Sequence, residues 1–201
     1  MSQRKPAADR KDDIRAATLA LAFEVGPDRV TTGMVADRLG LTQPAIYKHF
    51  PRKEDLWLSI TEHLCAEITG NIARETRHAC PVARLRGLVL GHLRLVHATP
   101  AMPAIMVAPP GDGAQSLVRS GIRNRMEGFF DALLAAVRAA QSEGWFRAEI
   151  DARDIALLVM GVVQSLVLRL LISRNPEVLL KDADRLLDLQ LSTFTRHGER
   201  P

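Results

Sequence analysis

From Tyr47 to Lys53 the chain reads Y-K-H-F-P-R-K: a phenol, two lysines, an arginine and a histidine, with no acid among them. Such groups make hydrogen bonds and carry positive charge, which suits holding phosphate oxygens better than making or breaking covalent bonds. If this stretch is helical at about 100° per residue, Ile46 and Phe50 share one face. Pro44 and Lys48 then point the opposite way, with Ala45 and Tyr47 on the shoulders. A helix that buries Ile46 and Phe50 and turns Tyr47, Lys48 and His49 outward fits a major groove. Lys53 follows at the start of the next helix, where a side-chain cation and unpaired backbone N–H groups converge on one phosphate. Groups for catalysis are not assembled in the same way. The chain has no glycine-rich phosphate loop, no HExxH and no CxxC pair. Ser116, Ser120, His92 and His97 lack the spacing of a nucleophile turn. His92 and His97 are also five apart, off the spacing that puts two imidazoles on one helical face. Neither an enzyme nor a metal site is expected.

Two elements must position these residues. Val35-Ala36-Leu39 and Ala45-Ile46-Phe50 are short apolar-periodic segments separated by Gly40-Leu41-Thr42. Two helices around a tight glycine-containing turn form a helix-turn-helix. Thr32 is expected to cap the first helix and Thr42 the second. Pro44 is tolerated in a first turn, which needs no intrahelical N–H bond. Arg52, which is not a good N-cap, leaves the cap of the following helix open.

The ordered set Val35-Ala36, Leu39-Gly40-Leu41-Thr42, Ala45-Ile46-Tyr47-Lys48-His49-Phe50 and Lys53-Glu54-Asp55-Leu56 resembles the N-terminal DNA-binding domain of the TetR family of bacterial transcriptional regulators. The likeness is sharp from about Asp12 to Thr61 and architectural beyond it. It implies contacts to a double-stranded DNA operator from Thr31, Thr32, Thr42, Gln43, Pro44, Ala45, Tyr47, Lys48, His49 and Lys53. Among these, Gln43 can read an adenine edge and the Ala45 methyl can pack on a thymine methyl. Tyr47, Lys48 and His49 hold phosphates, which set affinity and register rather than sequence. Gly33 and Met34 stand where some relatives carry basic residues.

The rest of the chain is consistent with an all-α protein of about nine helices. It has 201 residues, 47% hydrophobic and 25% charged, with few aromatics and a net charge of +4. Cys65 and Cys80 form no disulfide framework and suit a reducing compartment, as ordinary thiols or as redox sensors. No secretory signal opens the chain, and the longest unbroken apolar run, Ile155 to Val163, falls short of a bilayer. A cytoplasmic protein with no membrane partner is expected. Arg4, Lys5, Arg10 and Lys11 make a basic start, read either as a solvated tail or as an arm toward DNA. Helix 1 is expected from about Asp9–Asp13 to Val25, and helix 4 from Lys53 toward His78, long enough to leave the small domain and link it to the rest. A further helix spans Val82 to His97, a short element Ala104 to Val107, and another helix Gln115 to Glu143. The glycine- and proline-rich segment from Pro109 to Gly113 reads as a mobile loop. Two apolar helices, about Ala152–Arg174 and Glu177–His197, complete the chain. The last has apolar residues at Leu180, Ala183, Leu187 and Phe194, widened by Leu179 and Leu186.

The expected division is a DNA-binding domain over 1–56 and an effector-binding and dimerisation domain over 57–201. Family resemblance implies a homodimer through the two C-terminal helices, and a small-molecule effector without a fixed cofactor. Soft and polar residues that could line its pocket are His92, His97, Met102, Met106, Arg123, Met126, Phe130, Met160 and Gln164. A repressor released by its ligand is the expected function. An activator, or a helical adaptor using the helix-turn-helix for protein contacts, is the alternative.

Overall fold

A computed structural model describes residues 7–107 and 114–195. Arg4, Lys5 and the Pro109–Gly113 loop lie outside the described residues. The helices are α1 (Ala7–Val25), α2 (Thr32–Leu39), α3 (Gln43–Tyr47), α4 (Lys53–Glu75), α5 (Pro81–Ala98), α6 (Ala101–Val107), α7 (Ala114–Ser142), α8 (Ala152–Ser173), α9 (Val178–Lys181) and α10 (Ala183–Ser192), with a 3-10 turn at Pro27–Arg29. There is no named strand among the described residues, so the all-α expectation holds. Among the described residues there are ten α-helices where about nine are expected, because the last one is broken at Asp182. The Asp182 carboxylate accepts from Arg169 of α8 at 3.2 Å and from Arg185 at 3.0 Å, which ties the break to its neighbours. The chain also leaves helical form after Ser192 rather than near His197, which itself lies outside the described residues. Phe194 is buried edge-on to Phe146, and Arg147 N–H donates to the Phe194 carbonyl at 2.9 Å, so the segment after α10 pairs with the α7–α8 loop.

The helices divide into two compact units. The first comprises residues 1–65 and 99–123, the second 66–98 and 124–201. Where the sequence suggests a functional division at 56/57, packing cuts α4 after Cys65 and α7 after Arg123. Both helices therefore belong to both units. In the first unit α1 packs on α2 and α6, and α2 packs on α3. Ile14, Ala17 and Leu21 of α1 are buried, whereas Val25, one turn on with the same apolar spacing, is only half-buried. In the second, α8 packs against α5, α9 and α10, and its buried side includes Ile155, Val159, Leu166 and Leu170. By length and composition alone α8 could also cross a membrane, a test that the core helix of a globular protein passes equally. The whole helix, not its unbroken apolar core, meets the length.

The buried stripe of α4 changes character along its length. Leu56, Ile60, Leu64 and Ile68 are fully buried, but the next two buried positions are Asn71 and Glu75. They face Gly87 and Gly91 of α5 so closely that a methyl at either glycine would overlap the Glu75 carboxylate or the Asn71 amide. Asn71 Nδ2 donates to the Leu88 carbonyl at 3.3 Å, and Glu75 accepts from Arg74 and pairs with His78. Burial alone would raise the Glu75 carboxyl, yet the hydrogen bonds from Arg74 and His78 outweigh it and hold it below the usual carboxylate range.

Gly91→Ala should therefore destabilise the protein. The helix-propensity gain of about 1 kcal/mol is outweighed by about 1–3 kcal/mol for breaking the buried Asn71 pairing. Gly128→Ala in α7, with nothing within 4 Å of the added methyl, should instead raise Tm. Thermal melting of the two variants checks the contrast; a rise in both would disprove the close approach.

A nucleic-acid-facing helix-turn-helix and a buried histidine

The turn between α2 and α3 depends on Gly40, whose φ of 63° is left-handed. Its N–H returns to the Ala36 and Asp37 carbonyls, and Leu41 N–H reaches Ala36 O at 2.9 Å. The chain can then start α3 at an angle to α2. α3 itself has only five residues, shorter than the sequence implies, because Lys48 and His49 lie just past its end. Phe50 N–H still bonds to Ile46 O at 3.0 Å, so Ile46 (0% exposed) and Phe50 (4%) anchor the segment side by side as expected. Thr42, Gln43, Pro44, Tyr47 and Lys48 are exposed around that anchor, with Ala45 and His49 half-buried.

Two capping expectations are corrected. Thr31, not Thr32, caps α2, its Oγ1 accepting from Met34 N–H at 3.2 Å. Thr42 occupies the N-cap position of α3, but its hydroxyl makes no capping bond. Thr32 is one residue further on, so its side chain is directed elsewhere. Its Oγ1 accepts from Gln43 Nε2 at 2.7 Å and lies 3.2 Å from the Tyr47 hydroxyl. Nothing in the local sequence marks this cluster, since it joins residues 11 and 15 positions apart.

The open question at Arg52 is resolved by Asp55. That carboxylate accepts the Arg52 backbone N–H at 3.0 Å, as an N3 acid does in a capping box, and also binds the Arg52 guanidinium. The Arg52 guanidinium beside it holds the Asp55 carboxyl below the usual range. Arg38 is likewise paired with Glu24 of α1. Among the described residues, Lys48 and Lys53 make no such ion pair, so they are among the cations available to phosphates. Arg10 and Lys11 belong to α1 rather than to a tail: Arg10 faces Asp13 at 3.8 Å, and Lys11 Nζ sits 5.6 Å from the Phe50 ring.

The nine residues expected around an effector are divided between the units. Met102, Met106 and Arg123 belong to the first, where Met102 is core. His92, His97, Met126, Phe130, Met160 and Gln164 belong to the second. Gln164 is exposed there, and His97 pairs with Glu177 at 3.0 Å. Phe130 is covered by the Arg153 guanidinium at 5.5 Å. His92 differs from all of these. It is 3% exposed, its ring lies 4.7 Å from that of Phe129, and its Nδ1 has no hydrogen-bond partner. Burial lowers its pKa to about 4. Among the described residues no group of three or more His, Cys, Asp or Glu could hold a metal ion.

An exposed polar row on a short helix, held at a glycine turn against a buried apolar anchor, defines a helix-turn-helix DNA-binding regulator. Residues 14–60 match the family described as "Bacterial regulatory proteins, tetR family". That match covers the helix-turn-helix part of the chain. Over 54 residues it is 50% identical to the class A tetracycline repressor from transposon 1721 of Escherichia coli, 27% of this chain and 24% of that one. Over 156 residues it is 29% identical to the nucleoid occlusion factor SlmA of Marinobacter nauticus, covering 78% of this chain and 77% of that one. The solved structure of AibR in complex with isovaleryl coenzyme A and operator DNA shares the fold, with a TM-score of 0.62 at 21% identity over 79% of this chain and 85% of that one.

A histidine kept neutral by burial has a proton to gain only on unfolding. With folded and unfolded pKa values of about 4 and 6.5, the stability it contributes is present above pH 6.5 and lost as pH falls toward 4. That loss is about 3 kcal/mol at most. Chemical denaturation of the wild type and His92→Gln across this window should show a shallower acid decline in the variant; parallel curves would disprove the assignment.

Proposed function

We propose that this regulator is a cytoplasmic homodimeric repressor that releases its operator when a small molecule binds the second unit. The observation that carries the DNA part is the exposed row Gln43, Tyr47 and Lys48 around buried Ile46 and Phe50. In this reading each α3 enters a major groove of a near-palindromic site, with half-sites one or two helical turns apart at roughly 34 Å per turn. Gln43 and Ala45 face base edges; Thr31, Thr42, Pro44, Tyr47, Lys48, His49 and Lys53 line the backbone.

Dimerisation is supported by apolar surface on the last long helices. Leu158, Leu168 and Ile172 of α8 and Leu189 of α10 are each at least half exposed (51%, 57%, 75% and 62%). Leu158, Val162, Leu186 and Leu189 line a shallow groove between the two helices. Two copies would bury these faces together as a four-helix bundle. Effector binding is supported by His92, whose unpaired Nδ1 beside Phe129 is a donor or acceptor held in an apolar setting. AibR, solved with both an acyl-coenzyme A and operator DNA, shows that one protein of this fold carries both partners. A ligand that binds one of two states better would shift the DNA-binding equilibrium by that difference.

The match to a nucleoid occlusion factor over 78% of the chain favours a second reading, in which DNA binding serves that role rather than a promoter. Footprinting across genomic fragments together with a promoter reporter separates the two. A protected symmetric tract that silences the reporter supports the repressor; a protected tract without silencing supports the second reading; no protected tract removes both.

Two variants test the division of roles. Lys53→Ala should weaken binding to all sequences alike and flatten the slope of log affinity against log salt by about one unit, whereas Gln43→Ala should change sequence preference. Identical behaviour of the pair would sink that division. Leu189→Glu should yield a monomer in sedimentation equilibrium at micromolar concentration, with weakened operator binding; a dimer unaffected by the added charge would place the interface elsewhere.

A further inference from the structure

Gln43, Thr32 and Tyr47 form a chain of hydrogen-bonding groups in which one direction suits DNA. Gln43 Nε2 donates to Thr32 Oγ1 at 2.7 Å, and Thr32 Oγ1 is 3.2 Å from Tyr47 Oη. Thr32 is 7% exposed, while Gln43 and Tyr47 both reach solvent. A hydroxyl has one hydrogen and two acceptor sites. One acceptor site of Thr32 is filled by Gln43, and the threonine hydrogen can pass to Tyr47 Oη. The phenolic hydrogen of Tyr47 is then free for an acceptor outside the protein. A phosphate oxygen is such an acceptor. In the opposite direction Tyr47 would donate inward and turn only lone pairs toward the phosphate, which repel it.

We propose that Thr32 is a positioning residue that joins phosphate capture by Tyr47 to base reading by Gln43, the donors running Gln43 N–H to Thr32 O–H to Tyr47 O–H to phosphate. This rests on the DNA-binding reading above. Hydrogen bonds aligned in one direction polarise and strengthen one another, so phosphate bound at Tyr47 tightens the hold on Gln43. Thr32 is therefore not a phosphate ligand itself, since its one hydrogen is committed to the phenol. The chain also selects a base. With Nε2 turned in toward Thr32, Gln43 presents Oε1 outward as an acceptor. The matching base edge offers an exocyclic amino group in the major groove, adenine N6 or cytosine N4, in preference to guanine O6 or thymine O4. Adenine suits it further, because the second Nε2 hydrogen remains for adenine N7.

The experiment uses the full-length protein on an operator fragment recovered by footprinting. Gln43→Ala first locates the base pair whose discrimination depends on Gln43. Affinities for all four bases at that pair are then measured for the wild type, Thr32→Val, Thr32→Ser and Tyr47→Phe. The wild type should prefer adenine or cytosine on the contacted strand by about tenfold or more. Thr32→Val and Tyr47→Phe should each reduce that preference to within about threefold, a change in discrimination beyond any uniform loss of affinity. Thr32→Ser, which keeps the hydroxyl, should restore it. Combining Gln43→Ala with Tyr47→Phe should cost less than the two losses added. If Thr32→Val does not fold, Tyr47→Phe carries the test, because the phenolic oxygen can be removed from an exposed ring without disturbing the core. The relay is overturned if both variants lose affinity equally for all four bases, if the preferred base is guanine or thymine, or if Gln43 and Tyr47 prove additive. A wild type that protects no duplex removes the DNA-binding reading itself, a result distinct from each of these.

Discussion

The insertion of Ile46 and Phe50 into the core of the first unit is the interaction on which the DNA-facing surface depends. Isolated helices shorter than about 12–15 residues are marginal in water, so a five-residue helix cannot maintain itself. α3 exists because two side chains one turn apart are buried, each worth about 1.5–3 kcal/mol, and because Gly40 lets the chain arrive at the necessary angle. Once those two side chains face inward, Gln43, Tyr47 and Lys48 have no choice but to face outward. The polar surface is thus specified by apolar residues.

Much of this was legible because it is local. The spacing of Ile46 and Phe50, the glycine turn and the alternation of apolar blocks with Gly-Pro and Asn-Pro breaks are all short-range signals. They placed most of the helices within a few residues. What the sequence did not disclose depends on partners far apart in the chain. Thr31 and Thr32 are chemically alike, and only the packing of α2 on α3 decides that the first caps the helix while the second bonds to Gln43 and Tyr47. The polar stretch of the α4 stripe at Asn71 and Glu75 was equally hidden, because its acceptance depends on two glycines of α5. The broken last helix follows the same rule: its periodicity is continuous, but Arg169 from another helix holds Asp182.

The effector set was the least legible part, for a physical reason. Methionine, phenylalanine and histidine in an apolar helix fill core and line pockets with the same chemistry, and periodicity cannot tell the two apart. Within that set Met102 is core, His97 is held at the surface by Glu177, and His92 is buried with an unpartnered Nδ1. The α8 surface makes a related point. Several of its apolar residues, Leu158, Leu168 and Ile172 among them, stay exposed, so hydropathy by itself does not tell a core helix from any other apolar helix.

The two tryptophans are distributed in a way that gives the protein a built-in pair of optical reporters. Trp57 lies in the first unit, 1% exposed and with its indole N–H unpartnered, whereas Trp145 lies in the second, partly exposed and donating to Glu143. Their emission should differ in colour and in access to a soluble quencher, so each half of the molecule carries its own signal. Events confined to one unit would register on one indole and leave the other silent.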